Sequence, residues 1–387
     1  MSDISLSKAV RSNLLSLQNT ATLMGKTQER LATGNKVNSA LDNPTNFFTA
    51  SSLNSRAGDM GALLDGMANG IQTLEAADNG LKAITKNLES MQSTLRQARQ
   101  DKSFQTESYT VTLNSAGTFD ADNDPATAAA AGDVTLTFVG GSTGGTVATP
   151  VTVQIGGMTL DQAIAEINDT VANGGLGGAV RASNDNGKLR IENISTQDLT
   201  VATGAGTAIG AGTTIKGNSV RADLATQYNE LRDQLDKLAD DASFNGVNLL
   251  RGDLLKITFN ETGTSELEIQ SKDGKSINAA NLGLETNMEA KDFDSDATID
   301  AFLADVKSAI NTVRSQSSAF GSSLSIVQNR EDFSKNMINT LQTGASNLTL
   351  ADANEEAANL LALQTRQQLS STALSMASQA DQAVLRL

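Results

Sequence analysis

The sequence predicts a mainly α-helical protein with an inserted α+β domain, in which both chain ends form a long coiled-coil-like helical bundle. At both ends, apolar residues recur three and four positions apart over long stretches. Between the two ends, residues 106–217 hold 18 of the 32 glycines and two of the three prolines. Because a seam that is apolar on one side only must be covered by other helices, each half of the chain needs helical partners.

The first predicted helix lies within residues 1–43 and has a thin apolar seam. Gly34 and the pair Asn43-Pro44 interrupt it, because Pro44 lacks an N–H group and pushes Asn43 away from the α region. We expect a joint there and only marginal stability for this helix alone. The seam residues are Val10, Leu14, Leu17, Ala21, Met24 and Leu31.

Three further helices are predicted to close one bundle. The seam from Asp59 to Gln100 lasts roughly five heptads, which corresponds to a helix on the order of 60 Å long. Its partners begin at about Val220 and at about Ile299, and the latter runs to Leu341. The seams comprise Leu64, Met67, Ile71, Leu74, Leu81, Leu88 and Leu95; Leu224, Tyr228, Leu231, Leu235 and Leu238; and Val306, Ile310, Val313, Phe320, Leu324, Val327, Ile338 and Leu341.

A β-hairpin is predicted between the second and third bundle helices. Leu255, Ile257 and Phe259 alternate with polar residues, as do Leu267 and Ile269 after the turn at residues 261–264. The tail, residues 346–387, is predicted to be helical with a seam rich in alanine. Small side chains allow close helix approach but bury little surface, so this tail is also expected to be unstable in isolation.

Residues 106–217 are predicted to form a separate, Gly-rich α+β domain. They combine short Val, Thr and Ile runs with one amphipathic helix after Thr159, which can cap it. This segment holds eleven acidic and four basic residues in a chain whose formal net charge is −15. The acidic balance argues against nucleic-acid or anionic-membrane binding, since both need clustered Lys and Arg.

The composition excludes most catalytic and metal sites. The chain has no His and no Cys, which rules out His-based general bases, Cys nucleophiles and ordinary zinc or copper sites. The run Asp120-x-Asp122-x-Asp124 resembles the start of a calcium loop, but Pro125 stands where that loop needs Gly and Ala131 where it needs Glu. We therefore predict no enzyme activity, no cofactor and no metal.

Particular stretches at both ends resemble bacterial flagellin, in the variety typical of alphaproteobacteria. They are residues 13–15 (Asn-Leu-Leu), 29–34 (Glu-Arg-Leu-Ala-Thr-Gly), 37–44 (Val-Asn-Ser-Ala-Leu-Asp-Asn-Pro), 243–250 (Ser-Phe-Asn-Gly-Val-Asn-Leu-Leu), 361–369 (Leu-Ala-Leu-Gln-Thr-Arg-Gln-Gln-Leu) and 377–380 (Ala-Ser-Gln-Ala). The resemblance covers residues 1 to about 105 and 218–387. The insert resembles small domains of flagellins and hook proteins less closely.

The resemblance implies a secreted, extracellular subunit that polymerises into the flagellar filament. It implies export in unfolded form by the flagellar type III apparatus, and an export chaperone, a filament cap and hook-junction proteins as partners. Three domains follow: a terminal coiled-coil domain (1–44 with 346–387), a helical bundle with the hairpin (45–105 with 218–345) and an outer domain (106–217). The residues expected at the assembly interface are Val10, Leu14, Leu17, Met24, Leu31, Leu360, Leu363, Leu369 and Val384.

Three alternatives remain at the level of sequence. The hook-filament junction protein of the same family shares the terminal helices but forms a short ring. Some flagellins carry a hydrolase insert, although the usual zinc-protease insert needs two histidines that this chain lacks. The third is an adhesin or glycan-binding role for residues 106–217.

Overall fold

The computed structural model describes residues 8–113, 116–119, 135–140, 150–173, 179–203, 212–285 and 287–384. The acidic run at residues 120–124 lies outside them. The helices in this part of the chain are α1 (Lys8–Thr33), α2 (Pro44–Gln100), α3 (Leu160–Asn173), α4 (Ser219–Asp241), α5 (Asp296–Thr349) and α6 (Ala353–Val384). The strands are β1 (Gln105–Tyr109), β2 (Thr135–Gly140), β3 (Val151–Gln154), β4 (Val180–Asp185), β5 (Lys188–Asn193), β6 (Leu199–Thr203), β7 (Thr213–Ile215), β8 (Leu255–Thr258) and β9 (Glu266–Ile269).

This order of elements confirms the predicted fold class, with long helices at both ends and a strand-rich insert. The chain divides into two compact units. The terminal unit contains the residues up to Ile71, Lys256–Leu267 and the residues from Ser325 onward. The central unit contains Gln72–Leu255 and Glu268–Leu324. The three-domain division inferred from the sequence stays a prediction.

The core of the central unit follows a strict heptad pattern along α2. Its members alternate three and four residues apart and are at most 1 % exposed. They are Leu74, Ala77, Leu81, Ile84, Leu88, Met91, Leu95 and Ala98. Such spacing places every one of these side chains on a single helix face, which is the face that neighbouring helices cover.

In the central unit, α2 and α5 run antiparallel. Arg99 pairs with Asp300 at 2.6 Å, and at the other end Ser317 Oγ donates to Asp78 Oδ1 at 3.1 Å. The seam of α5 is buried here at Val306, Val313 and Phe320. On α4, Leu224, Tyr228 and Leu235 are buried, so all three predicted bundle helices contribute core residues.

The insert lies within the central unit and has its own apolar core. One antiparallel sheet has the strand order β1-β5-β4 and another the order β3-β2-β6-β7. The predicted cap of α3 is confirmed: Thr159 Oγ1 accepts from the Gln162 N–H at 3.3 Å, and Gln162 Oε1 accepts in return from the Thr159 N–H at 3.0 Å. The core residues include Tyr109, Phe119, Val153, Ile155, Ile167, Leu189, Ile191, Val201 and Ile215.

The predicted hairpin is confirmed as β8 paired with β9. Its tip packs in the terminal unit, where Glu261 pairs with Arg56 of α2 at 2.6 Å and the Arg330 guanidinium of α5 lies 5.6 Å from the centre of the Phe259 ring. A Cβ atom at Gly70 would overlap the Ile257 side chain. Glycine at this position therefore lets the hairpin seat directly on the α2 backbone.

Gly80 allows a second close approach to α2, inside the central unit. A Cβ atom there would lie 2.6 Å from Ala242 Cβ and 2.7 Å from Leu250 Cδ1. In an open helical position, Gly→Ala would stabilise the helix by roughly 0.5–1 kcal/mol. At Gly80 the overlap reverses the sign, and we expect Gly80→Ala to lower the free energy of unfolding by about 1–3 kcal/mol.

Denaturant unfolding of the monomer, followed by circular dichroism, measures this effect. Gly321→Ala is the matched control, since Gly321 lies in α5 of the same unit and a Cβ atom there meets nothing within 4 Å. The control should be neutral or stabilising. Equal effects of the two substitutions would show that the approach at Gly80 is not tight.

Candidate assembly interface

The helices near both chain ends are interrupted at neighbouring positions in space, and backbone hydrogen bonds join the two interruptions. α1 ends at Thr33 and is followed by Gly34, whose φ of 71° favours glycine. The Lys36 N–H donates to Thr349 O at 2.7 Å, and the Ala351 N–H donates to Gly34 O at 2.9 Å. This joint of residues 34–43 and 350–352 confirms the predicted interruption before Pro44 and pairs it with a second interruption near the other terminus.

The helices that leave the joint are capped by side chains. Asn43 Oδ1 accepts from the Asn46 N–H at 3.1 Å, with Pro44 at the first helical position of α2, which suits its fixed φ. Asp352 Oδ1 accepts from the Asn354 N–H at 2.9 Å at the start of α6. Short polar residues thus fix where the chain turns from one helix into the next.

α1 and α6 pack along each other in antiparallel directions, but the covered face of α1 is half polar. Val10 and Thr20 are buried, while Leu17 and Met24 are half-buried. Asn13, Thr27 and Arg30 share the same face. On α6 the covered face carries Glu356, Ala357, Leu360, Leu363, Gln367, Ser370, Ala373, Leu374 and Ala377. A contact of this composition buries little apolar surface, so it adds little stability.

One ion pair sets the alignment of the two helices. Arg30 Nη1 lies 3.1 Å from Glu356 Oε1, and the exposed fractions of the two side chains are 37 % and 10 %. Glu356 is in the first turn of α6, where a negative charge also complements the helix dipole. Because Glu356 is nearly covered, shifting α1 along α6 would leave its charge without a partner, which opposes such a shift.

The structure brings together some of the predicted interface residues and leaves others on the surface. Val10, Leu17, Met24, Leu360 and Leu363 lie on the contact of α1 with α6. Leu14 and Leu31 are each 40 % exposed, and Leu369 is 67 % exposed. Val384 is the last residue of α6, and its side chain lies outside the described part. The exposed members are free to contact a further molecule.

Exposed large apolar side chains concentrate in the terminal unit. In the described part of the chain, twelve of the fifteen such side chains belong to it. Sequence reasoning missed most of them, because they fall off the heptad seams. They are Leu14, Leu15, Leu23, Leu31, Leu41, Phe48, Ile326, Phe333, Leu350, Leu361, Leu369 and Met376. Large apolar side chains left exposed in one compact unit are candidates for contact with further molecules.

The joint contains a turn that the carboxylate of Asp42 holds by hydrogen bonds. The Asn38 N–H donates to Asp42 Oδ2 at 3.2 Å and the Ser39 N–H at 3.1 Å. These bonds hold the pKa of Asp42 below its ordinary value of 3.8, and the bond from Asn38 contributes most. Because the folded pKa is lowered, the stabilisation is present at neutral pH and is lost as the pH falls through the folded pKa.

We therefore expect the amide signals of Asn38 and Ser39 to move with the titration of Asp42 when the pH falls from neutral to well below 3.8. An NMR titration of the monomer measures both signals. In Asp42→Asn the same amides should not respond over this range. A wild-type turn that is insensitive to acid would show that the carboxylate does not hold it.

Comparison with known proteins assigns both chain ends. Residues 4–115 match the bacterial flagellin N-terminal helical region and residues 303–387 match the bacterial flagellin C-terminal helical region. Together the two matches cover half of the chain. The chain belongs to the bacterial flagellin family. This membership confirms the resemblance seen in the sequence, and it places α1, α6 and the joint inside the regions that characterise flagellins.

Individual flagellins are similar over different lengths. Flagellin FljK of Caulobacter vibrioides is 32 % identical over 164 residues, which are 42 % of this chain and 58 % of the relative. Flagellin A of Rhizobium meliloti (strain 1021) is 25 % identical over 425 residues, with both chains covered in full. The chain thus spans about 58 % of the length of the Caulobacter flagellins that it matches.

Flagellins are structural proteins, in agreement with the prediction that this chain is not an enzyme. Within the described residues, no group of three or more acidic side chains is arranged to hold a metal ion. In the same part of the chain, no helix is both long and apolar enough to cross a membrane.

Proposed function

We propose that this chain is a subunit that polymerises into the bacterial flagellar filament and that it assembles through α1, α6 and the joint. The observation that carries the proposal is the concentration of exposed apolar side chains on the terminal unit of a flagellin. Each exposed leucine that assembly covers contributes roughly 1–2 kcal/mol. Contacts between different surfaces of identical copies generate an open filament when the rotation that relates the copies does not close into a ring.

The half-polar contact of α1 with α6 supports the same proposal. Thr20 and Thr27 occupy positions on the covered face where a stable coiled coil would carry larger apolar residues. The apolar residues Leu14 and Leu31 lie beside that face instead of on it, and each side chain is 40 % exposed. The pair of helices therefore gains more by packing against further copies than by remaining alone.

The three-domain division gives each part a place in the proposed filament. Residues 1–44 with 346–387 form its inner part, residues 45–105 with 218–345 surround them, and residues 106–217 face outward. In the described part of the chain, three exposed large apolar side chains lie outside the terminal unit, and only one of them, Leu113, belongs to the insert, which suits a solvent-facing role. The nine predicted interface residues belong to the inner part.

The export route and the partner proteins of the chain follow from the same proposal. The chain would be exported unfolded through the flagellar type III apparatus, with an export chaperone, a filament cap and hook-junction proteins as partners, and would act outside the cell. Weakly stabilised ends suit such a route, because a segment that is ordered only by its neighbours presents little structure to undo before export.

Seeded polymerisation of the purified chain tests the proposal. Monomer added to short sheared fragments should extend them into filaments, seen by electron microscopy, whose length grows with the monomer added. Short oligomers that stop growing would favour the hook-filament junction protein instead. The names of the relatives, all flagellins, support the filament subunit. Monomer that never extends a seed would contradict the proposal.

A further inference from the structure

The insert is joined to the helical part of the central unit through a buried polar junction. The chain enters the insert from α2 through residues 101–104 and returns to α4 through residues 216–218. The turn between β5 and β6 and the 3₁₀ turn Ala290–Phe293 before α5 lie at the same place. Four chain segments far apart in sequence therefore meet within hydrogen-bonding distance.

Arg221, in the first turn of α4, lies at the centre of this junction. Its side chain is 1 % exposed. Nη1 donates to Phe293 O at 2.8 Å and to Asp294 O at 3.1 Å. Nη2 donates to Asp101 O at 3.1 Å and to Asp296 Oδ1 at 2.7 Å. One guanidinium thus joins the end of α2, the start of α4 and the approach to α5.

Packing restrains the guanidinium further, since its central carbon lies 5.3 Å from the centre of the Phe104 ring. Phe104 directly precedes β1, so the stacked ring belongs to the connection that enters the insert. A planar group with several donors can satisfy this arrangement, whereas the point charge of a lysine cannot.

The insert contacts the same residues from its own side. The Thr196 N–H donates to Asp294 Oδ1 at 2.6 Å. The Asn218 N–H donates to Ser195 O at 2.9 Å, and Asn218 Nδ2 donates to Asp101 Oδ1 at 2.6 Å. Asn218 Oδ1 also accepts from the Arg221 N–H at 3.1 Å and caps α4. The turn of the insert is thus bonded to the segments that Arg221 holds.

Stability alone does not account for a buried charge here. Arg221 loses its hydration, and among the described atoms its Nε–H finds no acceptor. Replacing a buried ion by an apolar side chain of similar size is often neutral or stabilising, whereas directional polar contacts specify one geometry. The arrangement therefore favours a role in fixing orientation.

We propose that Arg221 is a positioning residue that fixes the orientation of the insert on the helical part of the central unit. The insert then moves as a rigid extension of α2, α4 and α5 rather than as a tethered appendage. The inference concerns a single molecule and does not depend on polymerisation. In any assembly of copies, every insert would present its surface in one direction.

Distance measurement between two spin labels tests this proposal. The chain has no Cys, so Lys188→Cys in the insert and Gln227→Cys on α4, both exposed, give one label pair. The otherwise unchanged chain should give one narrow distance distribution. Arg221→Met, which keeps the length of the side chain without its donors, should give a broad distribution while the helical circular dichroism is retained. Arg221→Lys should also broaden it, because charge without the planar fork does not suffice.

Arg232→Met is the matched control. Arg232 lies on the same helix but outside the junction, and its Nη2 pairs with Asp233 Oδ1 at a distance of 2.7 Å. This control should keep the narrow distribution. If Arg221→Met does not fold, Asp294→Ala decides, because it removes the acceptor of the Thr196 N–H and should broaden the distribution by itself. The proposal would be overturned if Arg221→Met folded and kept the narrow distance distribution. If Arg221→Met did not fold, the same result for Asp294→Ala would overturn it.

Discussion

The double variant Leu14→Asp, Leu369→Asp should remain a folded monomer and fail to polymerise. Both side chains are exposed in the monomer, at 40 % and 67 %, so the charges cost little before assembly. In a filament they would be buried without partners, at a cost of several kcal/mol per copy. Since every 1.4 kcal/mol is a factor of ten, the monomer concentration needed for growth should rise roughly a thousandfold or more.

Sedimentation of seeded mixtures measures this effect, and circular dichroism checks the fold. Leu113→Asp is the matched control, since Leu113 lies in the insert and is 37 % exposed, close to Leu14. It should polymerise normally. Normal filaments from the double variant would show that these two leucines do not lie at contacts between copies.

The second large effect separates the stability of the central unit from that of the chain ends. Leu81 is fully buried in the heptad core, so Leu81→Ala should lower the free energy of unfolding by about 2–5 kcal/mol. Leu17 is half-buried on the contact of α1 with α6, and Leu17→Ala should lower the free energy of unfolding by less than about 1 kcal/mol. The contrast follows from the polar residues around Leu17, which leave little apolar contact to lose.

Denaturant unfolding of both monomers, followed by circular dichroism, gives the two values. Comparable losses would mean that the terminal helices form a core as tight as that of the central unit. If Leu17→Ala weakened polymerisation but left the free energy of unfolding of the monomer nearly unchanged, the result would agree with the proposed assembly role.

The sequence predicts the bundle well because its heptad pattern is strict. Leu74, Leu81, Leu88 and Leu95 are all at most 1 % exposed, as the spacing indicates. The intervening positions, such as Ala77 and Met91, complete the same face but were not part of the predicted seam. Where one face is apolar and the others are not, periodicity alone determines what is buried.

The face of α1 that meets α6 could not be determined in the same way. The seam inferred from the sequence includes Leu14, Ala21 and Leu31, whereas Thr20 and Thr27 occupy the covered positions. With apolar residues on two adjacent edges of one helix, spacing does not say which edge a given partner covers. That choice depends on α6 and on the ion pair between Arg30 and Glu356, which are far apart in sequence.

The junction at Arg221 has no sequence signal that could have identified it. A single arginine in the first turn of an amphipathic helix normally indicates solvent exposure. Its partners Asp101 and Phe293 lie 120 and 72 residues away. Only the fold brings these groups together, so buried polar contacts between distant segments are the part of this structure that periodicity cannot predict.

Hydrogen exchange of individual amides, in the monomer and in the filament, tests the central claim most directly. In the monomer, amides of α2 in the central unit should be strongly protected, while those of α1 and α6 exchange rapidly because their contact buries little apolar surface. In the filament, α1 and α6 should become protected as well. Strong protection of both terminal helices in a dilute monomer would contradict the account, since it would show that they need no neighbouring copies.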